Sequence, residues 1–289
     1  MELWYSEQHT PNVRFSIKVN RTLYTAHSGI QQIDVFDSKE FGRFLTLDGL
    51  MMLTEKDEFI YHEMMSHVPI FAHGNVESVL IVGGGDGGML REVCRHDAVR
   101  HVTQVEIDQA VIDMCRRYLP GHSDGAYDDP RVNIVIDDGI HFVRETEQKY
   151  DIIISDSTDP IGPGEALFTE SFYAACRKCL NPGGILVTQN GVAFHQMDEI
   201  RQTSRHLESL FGDWHFYTAA VPSYVGGAMY FAWATDEPCH RRIGIATLRE
   251  RYRKSGITSR YYNPEIHFSA FALPQYVLKA IGKTDNEYL

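Results

Sequence analysis

Two aspartates stand three residues apart in an Asp-Ser-Thr-Asp-Pro run at residues 156–160, directly after an apolar segment. Asp156 can accept a proton or a hydrogen bond from an attacking amine, and Asp159 can hold a distal ammonium group. An ordinary Asx turn with a helix cap is the competing interpretation. Ligands of open parallel sheets bind beyond the carboxyl ends of the strands, which favours the chemical interpretation. We therefore predict that this turn handles a diamine.

A glycine-rich run, Gly-Gly-Gly-Asp-Gly-Gly at residues 83–88, follows another apolar segment and precedes a helical pattern. Gly83 and Gly85 would let the backbone approach a nucleotide closely. Glu106 ends the next apolar segment, 23 positions beyond Gly83, where a carboxylate can accept both ribose hydroxyl hydrogen bonds. The pair Asp138-Gly139 ends the third segment and offers a second carboxylate near the adenine amino group. This pattern predicts a nucleoside site.

Asp86 lies inside the glycine-rich turn and narrows the choice of nucleoside. Its carboxylate would repel the pyrophosphate of a nicotinamide cofactor from the helix N-terminus. A nucleoside triphosphate is disfavoured further, because no GxxxxGK[ST] motif occurs. A purely structural interpretation, with glycines tightening a turn and carboxylates capping helices, explains the three features together less well. A positively charged adenosyl sulfonium fits the turn without conflict.

The elements that must position these residues change character along the chain. Residues 1–58 are predicted to form an N-terminal β-strand domain and residues 59–289 a Rossmann-like catalytic domain, so the fold class is α/β with a methyltransferase-type sheet. The predicted N-terminal strands cover residues 13–19, 23–26, 31–36, 43–47 and 50–54. Asp48-Gly49 is a hairpin signal between the last two.

Short apolar runs that alternate with helical patterns predict parallel strands joined by crossover helices. These runs cover residues 79–82, 102–105, 132–136, 152–154 and 185–187. Residues 216–221 and 228–234 are predicted to form a closing antiparallel pair, and the aromatic stretch 261–277 to pack back onto the sheet. Helices are predicted at residues 57–72 and 89–94. The segment 160–167 is predicted to be a flexible loop that closes over a bound substrate.

The chain has 289 residues and a formal net charge of -12, from 39 acidic and 27 basic side chains. This charge disfavours nucleic acid and anionic membrane surfaces as partners and suits small cationic substrates. No membrane span or signal peptide is expected. Five scattered cysteines, an odd number, favour free thiols in a reducing compartment, so a cytoplasmic location is predicted.

Two patterns that suggest metal binding are set aside. His62 and His67 resemble the histidines of an HExxH zinc motif but are separated by one residue too many, so their rings diverge on a helix. Cys176 and Cys179 form a CxxC motif without a second pair at zinc-ribbon spacing, and they are interpreted as core thiols. We predict no metal site.

The motifs together resemble those of the spermidine synthases, the putrescine aminopropyltransferases, and are most similar to bacterial members. The resemblance runs from about residue 41 to residue 276. It depends on the glycine-rich turn, on Glu106, on Asp138-Gly139 and on the Asp-Ser-Thr-Asp-Pro run, together with Glu-Lys-Asp-Glu-Phe-Ile-Tyr-His-Glu at 55–63 and Tyr-Tyr-Asn-Pro at 261–264.

The resemblance implies that putrescine attacks the aminopropyl carbon of decarboxylated S-adenosylmethionine, giving spermidine and 5'-methylthioadenosine. It assigns Asp156 as the proton acceptor, Asp159 as a putrescine ligand and Asp86 as the ligand of the aminopropyl amine. Glu106 would bind the ribose, and Asp138 and Gly139 the adenine end. The implied nucleoside pocket also includes Gln31 and Pro163, and the implied polyamine channel is lined by Tyr61, His62 and Tyr224.

The resemblance also implies a homodimer or homotetramer, with no permanently bound cofactor and no metal. Met52 departs from relatives that carry Gln in this strand, which suggests a tuned amine preference. A putrescine N-methyltransferase that uses intact S-adenosylmethionine is the nearest alternative, and a non-catalytic polyamine- or nucleoside-binding regulator is another. The choice among putrescine, cadaverine, agmatine and spermidine stays open, because one or two methylenes contribute only about 1 to 3 kcal/mol in an apolar channel.

Overall fold

The computed structural model describes residues 2–160 and 162–286, without the side chain of Pro163. The N-terminal part consists of strands only. These are β1 (Leu3–Thr10), β2 (Val13–Val19), β3 (Arg21–His27), β4 (Gln32–Ser38), β5 (Gly42–Leu47) and β6 (Leu50–Thr54). The five predicted strands of this region correspond to β2 through β6 and are confirmed.

Strands β1 and β2 form an antiparallel hairpin, and β3 through β6 form an antiparallel four-stranded sheet. Positive φ angles of 49° at Asp48 and 80° at Gly49 confirm the predicted hairpin between β5 and β6. Strand β1 was not predicted. Of its eight residues only Tyr5 is buried, so its sequence lacks the apolar alternation that marks a half-buried strand.

Helix α1 (Glu58–His73) connects this part to the central sheet and confirms the helix predicted at 57–72. Nearly all of its residues are buried, because the helix packs between the strands of the central sheet and the C-terminal segment. It ends at Gly74, whose φ of 78° is the left-handed conformation common after helices. The helix carries Tyr61 and His62 into the interior of the molecule.

The central sheet has seven strands in the order β12-β13-β11-β10-β7-β8-β9. The strands are β7 (Ser78–Gly83), β8 (His101–Glu106), β9 (Val132–Ile136), β10 (Tyr150–Asp156), β11 (Leu180–Val192), β12 (Asp213–Ala219) and β13 (Met229–Thr235). Strands β7 through β11 are parallel, and β12 and β13 form the antiparallel pair. The predicted Rossmann-like, methyltransferase-type α/β fold is confirmed. The predicted domain division at residue 58 stays a prediction.

Helices cover the sheet. They are α2 (Gly88–Cys94), α3 (Gln109–Tyr118), α4 (Pro120–Ser123), α5 (Gly139–Glu145), α6 (Glu170–Cys179), α7 (Ala193–Leu210), α8 (Ile245–Ser255), α9 (Pro264–Ala270) and α10 (Gln275–Ala280). Short 3₁₀ helices occupy Ala126–Asp128 and Gly162–Phe168. The second replaces most of the loop predicted at 160–167, so the absence of regular structure predicted there is wrong. Closure of this segment over a substrate stays a prediction.

The C-terminal segment packs back onto the sheet, as predicted. Tyr262, Phe271 and Val277 are buried, and His215 of β12 contacts the backbone oxygen of Phe271 at 3.3 Å. Across the described residues no helix is long and apolar enough to span a membrane.

The order of the strands determines where a ligand can bind. Chain order reverses on the two sides of β7, since β8 lies on one side and β10 on the other. A crevice therefore opens beyond the carboxyl ends of β7 and β10. Asp156, at the end of β10, is directly opposite Gly83, at the end of β7.

Candidate active site

A cavity of about 440 Å³ opens at this switch point, between the central sheet and the N-terminal strands. It brings together every predicted site residue whose side chain the structure describes. The predicted residues that line it are Gln31, Tyr61, His62, Gly83, Gly85, Asp86, Glu106, Asp138, Gly139, Asp156, Asp159 and Tyr224. The side chain of Pro163 lies outside the described part of the chain, so its predicted role stays a prediction.

The glycine-rich turn passes so close to its neighbours that side chains would not fit. Gly83 has a φ of +86°, and a Cβ there would lie 2.0 Å from the backbone oxygen of Asp156. A Cβ on Gly85 would lie 2.7 Å from Oε2 of Glu106. Gln104, which the sequence analysis missed, donates to the backbone oxygen of Gly83 at 2.9 Å and holds the turn in place. The turn therefore leaves the carboxylate of Glu106 accessible from the cavity.

Glu106 is buried at the end of β8, where its Oε1 accepts a hydrogen bond from the backbone N–H of Asp108 at 2.9 Å. Burial raises the pKa of Glu106 to about 7, with smaller contributions from neighbouring carboxylates and an opposing one from that hydrogen bond. Asp108 also accepts a hydrogen bond from the side-chain amide of Gln31 at 3.0 Å. This contact connects the N-terminal strands to the predicted ribose site.

Asp138 and Gly139 lie where β9 meets α5. Asp138 caps the helix by accepting from the backbone N–H of Ile140 at 2.8 Å, and it also lines the cavity. Gly139 is buried, and a Cβ there would lie 2.4 Å from Val82. The structural and the binding interpretations of this pair are thus compatible.

His62 lies between two carboxylates. Its Nδ1 is 2.6 Å from Glu58 and its Nε2 is 3.3 Å from Oδ1 of Asp86. Burial alone would lower the pKa of His62, but Asp86 and Glu58 raise it to about 10. Burial alone would likewise raise the pKa of Asp86, but the imidazolium lowers it to about 2. Asp86 therefore stays ionised.

The same oxygen of Asp86 also accepts from the backbone N–H of Gly88 at 2.8 Å. Both contacts use Oδ1, so Oδ2 is free of them and can meet a ligand. Glu58, which the sequence analysis did not single out, is held in turn by Arg91 at 2.8 Å. Glu58, held by Arg91, therefore favours the protonated form of His62 and holds its ring in position.

The pKa of Asp156 shifts in the opposite direction to that of Asp86. Its Oδ1 accepts a hydrogen bond from the hydroxyl of Tyr61 at 2.7 Å, and its buried Oδ2 has no hydrogen-bond partner among the described residues. Burial and the negative charge of Asp86 raise the pKa of Asp156 to about 6, although His62 and Tyr61 act against this rise. A carboxylate with a pKa near neutrality and an unoccupied oxygen is suited to accept a proton.

His62, Asp86 and Asp156 present potential metal-ligating atoms within 4.8 Å of one another. Both nitrogens of His62 face carboxylate oxygens, as in a doubly donating imidazolium, which has no lone pair for a metal. The arrangement suits an ammonium or sulfonium cation better. His67 points elsewhere, toward His96 at 2.9 Å, so the divergence predicted for the two histidines is confirmed.

Two glutamines orient Asp159. Gln189 donates to Oδ1 at 3.2 Å and Gln196 donates to Oδ2 at 2.8 Å. The sequence analysis missed both. Gln189 could have been found from its place near the end of a parallel strand, whereas Gln196 lies at a kink in α7, with φ -121° and ψ 36°, that no sequence pattern marks.

Tyr224 closes the cavity from the segment between β12 and β13. Its hydroxyl donates to the backbone oxygen of Met52 at 2.5 Å, and its ring meets that of Tyr61 edge to face at 6.0 Å. Met52 lines the cavity as well.

Cys176 and Cys179 are buried free thiols away from this cavity, as predicted.

Comparisons with known proteins show which family the chain belongs to. A family model described as "Spermine/spermidine synthase domain" matches residues 58–242, and one described as "Spermidine synthase tetramerisation domain" matches residues 3–55. A polyamine aminopropyltransferase 1 of Pseudomonas aeruginosa is 60% identical over 95% of each chain. A polyamine aminopropyltransferase of Pseudomonas syringae is 56% identical, over 93% of this chain and 94% of the relative.

Solved structures are similar over nearly the whole length. A spermidine synthase in complex with the transition-state analogue AdoDATO superposes with a TM-score of 0.92 at 41% identity, covering 97% of this chain and 95% of that one. The spermidine synthase of Thermotoga maritima superposes with a TM-score of 0.89 at 39% identity, covering 97% and 94%. The chain therefore belongs to the spermine/spermidine synthase family of polyamine aminopropyltransferases.

Proposed function

We propose that this protein transfers the aminopropyl group of decarboxylated S-adenosylmethionine to putrescine, forming spermidine and 5'-methylthioadenosine. The observation that carries the proposal is the pair of neighbouring carboxylates with opposite pKa shifts, about 2 for Asp86 and about 6 for Asp156. Carboxylates whose surroundings drive their pKa values apart serve different roles. In this proposal Asp86 stays ionised and binds the cationic end of the co-substrate, and Asp156 exchanges a proton.

Asp156 acts as the proton acceptor in this proposal. An amine with a pKa near 10 is almost wholly protonated at neutral pH and cannot attack. As the amine nitrogen bonds to the aminopropyl carbon, the carbon–sulfur bond breaks and its electron pair neutralises the sulfonium. The proton lost by the nitrogen passes to Asp156, and Tyr61 orients the acceptor.

Asp159 holds the distal ammonium of putrescine, and its two glutamines support it in that orientation. His62, Tyr61 and Tyr224 line the polyamine channel around it. Holding nitrogen, carbon and sulfur in line provides much of the rate enhancement. Met52 contributes a side chain to the same cavity and so to amine preference.

The decarboxylated form of the sulfonium is the co-substrate because Asp86 attracts the free aminopropyl ammonium and repels the carboxylate of intact S-adenosylmethionine. Glu106 binds the ribose hydroxyls. Gln31 and Pro163 complete the nucleoside pocket, and Asp138 and Gly139 bind the adenine end. The nucleoside enters and leaves with each turnover, so no cofactor stays bound.

The protein also assembles as a homodimer or homotetramer through its N-terminal strands. Leu3 and Trp4 are adjacent large apolar side chains of β1 that are 47% and 52% exposed, which suits a contact with a second subunit. The match of residues 3–55 to a domain described by tetramerisation supports the same conclusion.

Mass spectrometry tests the function directly. Purified protein is incubated with putrescine and either decarboxylated or intact S-adenosylmethionine. We expect spermidine and methylthioadenosine with the decarboxylated form alone. Asp156→Asn should lower turnover by orders of magnitude while nucleoside binding persists, as measured by calorimetry with methylthioadenosine.

Other products would change the conclusion. Methylputrescine formed from intact S-adenosylmethionine would identify an N-methyltransferase, which Asp86 argues against. Binding of amine and nucleoside without any product would identify a binding protein that regulates without catalysis. Near-wild-type turnover by Asp156→Asn would show that Asp156 is not the proton acceptor.

A further inference from the structure

A buried ion-pair network connects helices α1 and α2 beside the turn that carries Asp86. In the order of its contacts, it consists of Asp86, His62, Glu58, Arg91, Glu92 and His67. Arg91 is the central residue. Its guanidinium donates to Glu58, on α1, and to Glu92, on its own helix, both at 2.8 Å. The two glutamates are only 7% and 2% exposed, and because a buried charge without a partner is costly, they need cationic neighbours to stay ionised.

One end of the network reaches the cavity. Glu58 meets Nδ1 of His62 at 2.6 Å, and Nε2 of the same ring is 3.3 Å from Oδ1 of Asp86. Burial alone would raise the pKa of Glu58, but His62 and Arg91 lower it to about 2, so this carboxylate stays ionised. Each contact from Arg91 to Asp86 is therefore between opposite charges. The network holds Oδ1 of Asp86 and leaves Oδ2 for a ligand.

The other end of the network lies outside the cavity lining, at His67. Oε2 of Glu92 is 3.1 Å from Nε2 of His67 and 2.7 Å from a guanidinium nitrogen of Arg95. His62 and His67 are the two histidines whose spacing excludes an HExxH zinc motif. On α1 they face different carboxylates, Glu58 and Glu92, and Arg91 holds both of these. The two histidines therefore occupy opposite ends of one network.

The planar guanidinium lets Arg91 hold several acceptors at once. Nη2 donates to Glu58, Nε to Glu92, and Nη1 to the backbone oxygen of His122 at 2.7 Å. A lysine ammonium is a single point charge, which could bind one glutamate but not both in this geometry. Arg91 does not line the cavity, so its influence on a ligand passes through the other residues of the network.

We propose that Arg91 is a positioning residue that sets the preference of the nucleoside site for a sulfonium with a free aminopropyl ammonium. It acts through Glu58 and His62, which hold Asp86 in the orientation that receives the ammonium. The proposal rests on the proposed function, in which Asp86 is the ligand of that group. Methylthioadenosine is the reference ligand, because it keeps the adenosine and the sulfur but lacks the aminopropyl group and the positive charge.

The test measures the affinity for decarboxylated S-adenosylmethionine and for methylthioadenosine by calorimetry, without an acceptor amine, so that no turnover occurs. Wild type, Arg91→Met, Arg91→Lys and Arg241→Met are compared. Met keeps an unbranched side chain but loses the charge and the donors. Arg241 forms a buried ion pair with Asp213, and neither residue lines the cavity, so Arg241→Met controls for the loss of a buried arginine. Asp86→Asn is measured alone and combined with Arg91→Met.

We expect wild type to bind the decarboxylated sulfonium about tenfold or more tightly than methylthioadenosine, the effect of one charge-assisted hydrogen bond. Arg91→Met should lower this ratio about three- to tenfold and change the affinity for methylthioadenosine by less than about twofold. Arg91→Lys should give an intermediate ratio, and Arg241→Met should leave the ratio unchanged. In the Asp86→Asn background, Arg91→Met should change the ratio no further, because both changes act on one contact.

Three results would overturn the role of Arg91 and leave the proposed function intact. They are an unchanged ratio in Arg91→Met, an equal loss of affinity for both nucleosides, and a further fall in the ratio when Arg91→Met is added to Asp86→Asn. If Arg91→Met does not fold, Arg91→Lys decides, since a ratio equal to that of wild type would overturn the proposal. Wild type that binds both nucleosides equally well would instead contradict the role of Asp86 in the proposed function, and the positioning role with it.

Discussion

Replacing Tyr61 by Phe tests whether the protonation of Asp156 controls the reaction. The hydroxyl of Tyr61 donates to Oδ1 of Asp156 at 2.7 Å and stabilises its ionised form. Burial and the nearby Asp156 raise the pKa of Tyr61 well above its usual value, so the hydroxyl stays protonated over the assay range. Phe keeps the ring and its aromatic contacts while removing only the hydrogen bond.

The size of the effect follows from the strength of this bond. A hydrogen bond to a charged group is worth about 1.5–3 kcal/mol, and each 1.36 kcal/mol corresponds to about one pKa unit. The pKa of Asp156, about 6 in the wild type, should therefore rise by about one to two units in Tyr61→Phe. Only the ionised carboxylate accepts a proton, so activity is lost as the pH falls through this pKa.

The assay is kcat/KM for decarboxylated S-adenosylmethionine between pH 5 and 9, which reports groups of the free enzyme. We expect the acid limb to move upward by the same one to two units. Tyr61→Phe should then lose about two- to tenfold at pH 7 and recover toward wild type at pH 9. An acid limb that does not move, or a loss that is equal at every pH, would refute the assignment of this limb to Asp156.

Two further predictions concern the rest of the molecule. Burial and the charge of Asp159 raise the pKa of Glu199 to about 8, so the folded state favours the protonated acid and loses stability as pH rises from the ordinary glutamate pKa to about 8. Glu199→Gln should therefore raise Tm relative to wild type by more at pH 9 than at pH 6, by roughly 2–4 °C per kcal/mol; equal shifts at both pH values would contradict this reasoning. Trp4→Glu should place charges in the proposed subunit interface and lower the mass measured by light scattering. An unchanged mass would exclude Trp4 from an interface.

The local motifs were predictable because their chemistry depends on neighbours in sequence. The missing side chains of a glycine-rich turn permit close approach of the backbone and positive φ angles; Gly83 shows both, and Gly85 shows the close approach. Glu106 and Asp156 were located by the ends of apolar runs. Strands that are buried on both faces have continuous apolar sequences, which can be recognised without the structure.

The parts that escaped prediction depend on residues far apart in the chain. Gln189 and Gln196 contact Asp159 across about 30 and 37 positions, and Gln196 does so only because α7 is kinked. Strand β1 was missed because it is mostly exposed and polar, so its position depends on pairing with β2 rather than on its own hydrophobic pattern.

The fold class, the glycine-rich turn and the identities of the acidic groups follow from the sequence alone. The difference in charge state between those acids depends on the tertiary structure. Asp86 and Asp156 have the same side chain, but Asp86 faces the imidazolium of His62, whereas Asp156 faces the charge of Asp86 and the hydroxyl of Tyr61. Their pKa values separate because desolvation and Coulomb interactions depend on distance in space, which spacing along the chain does not specify.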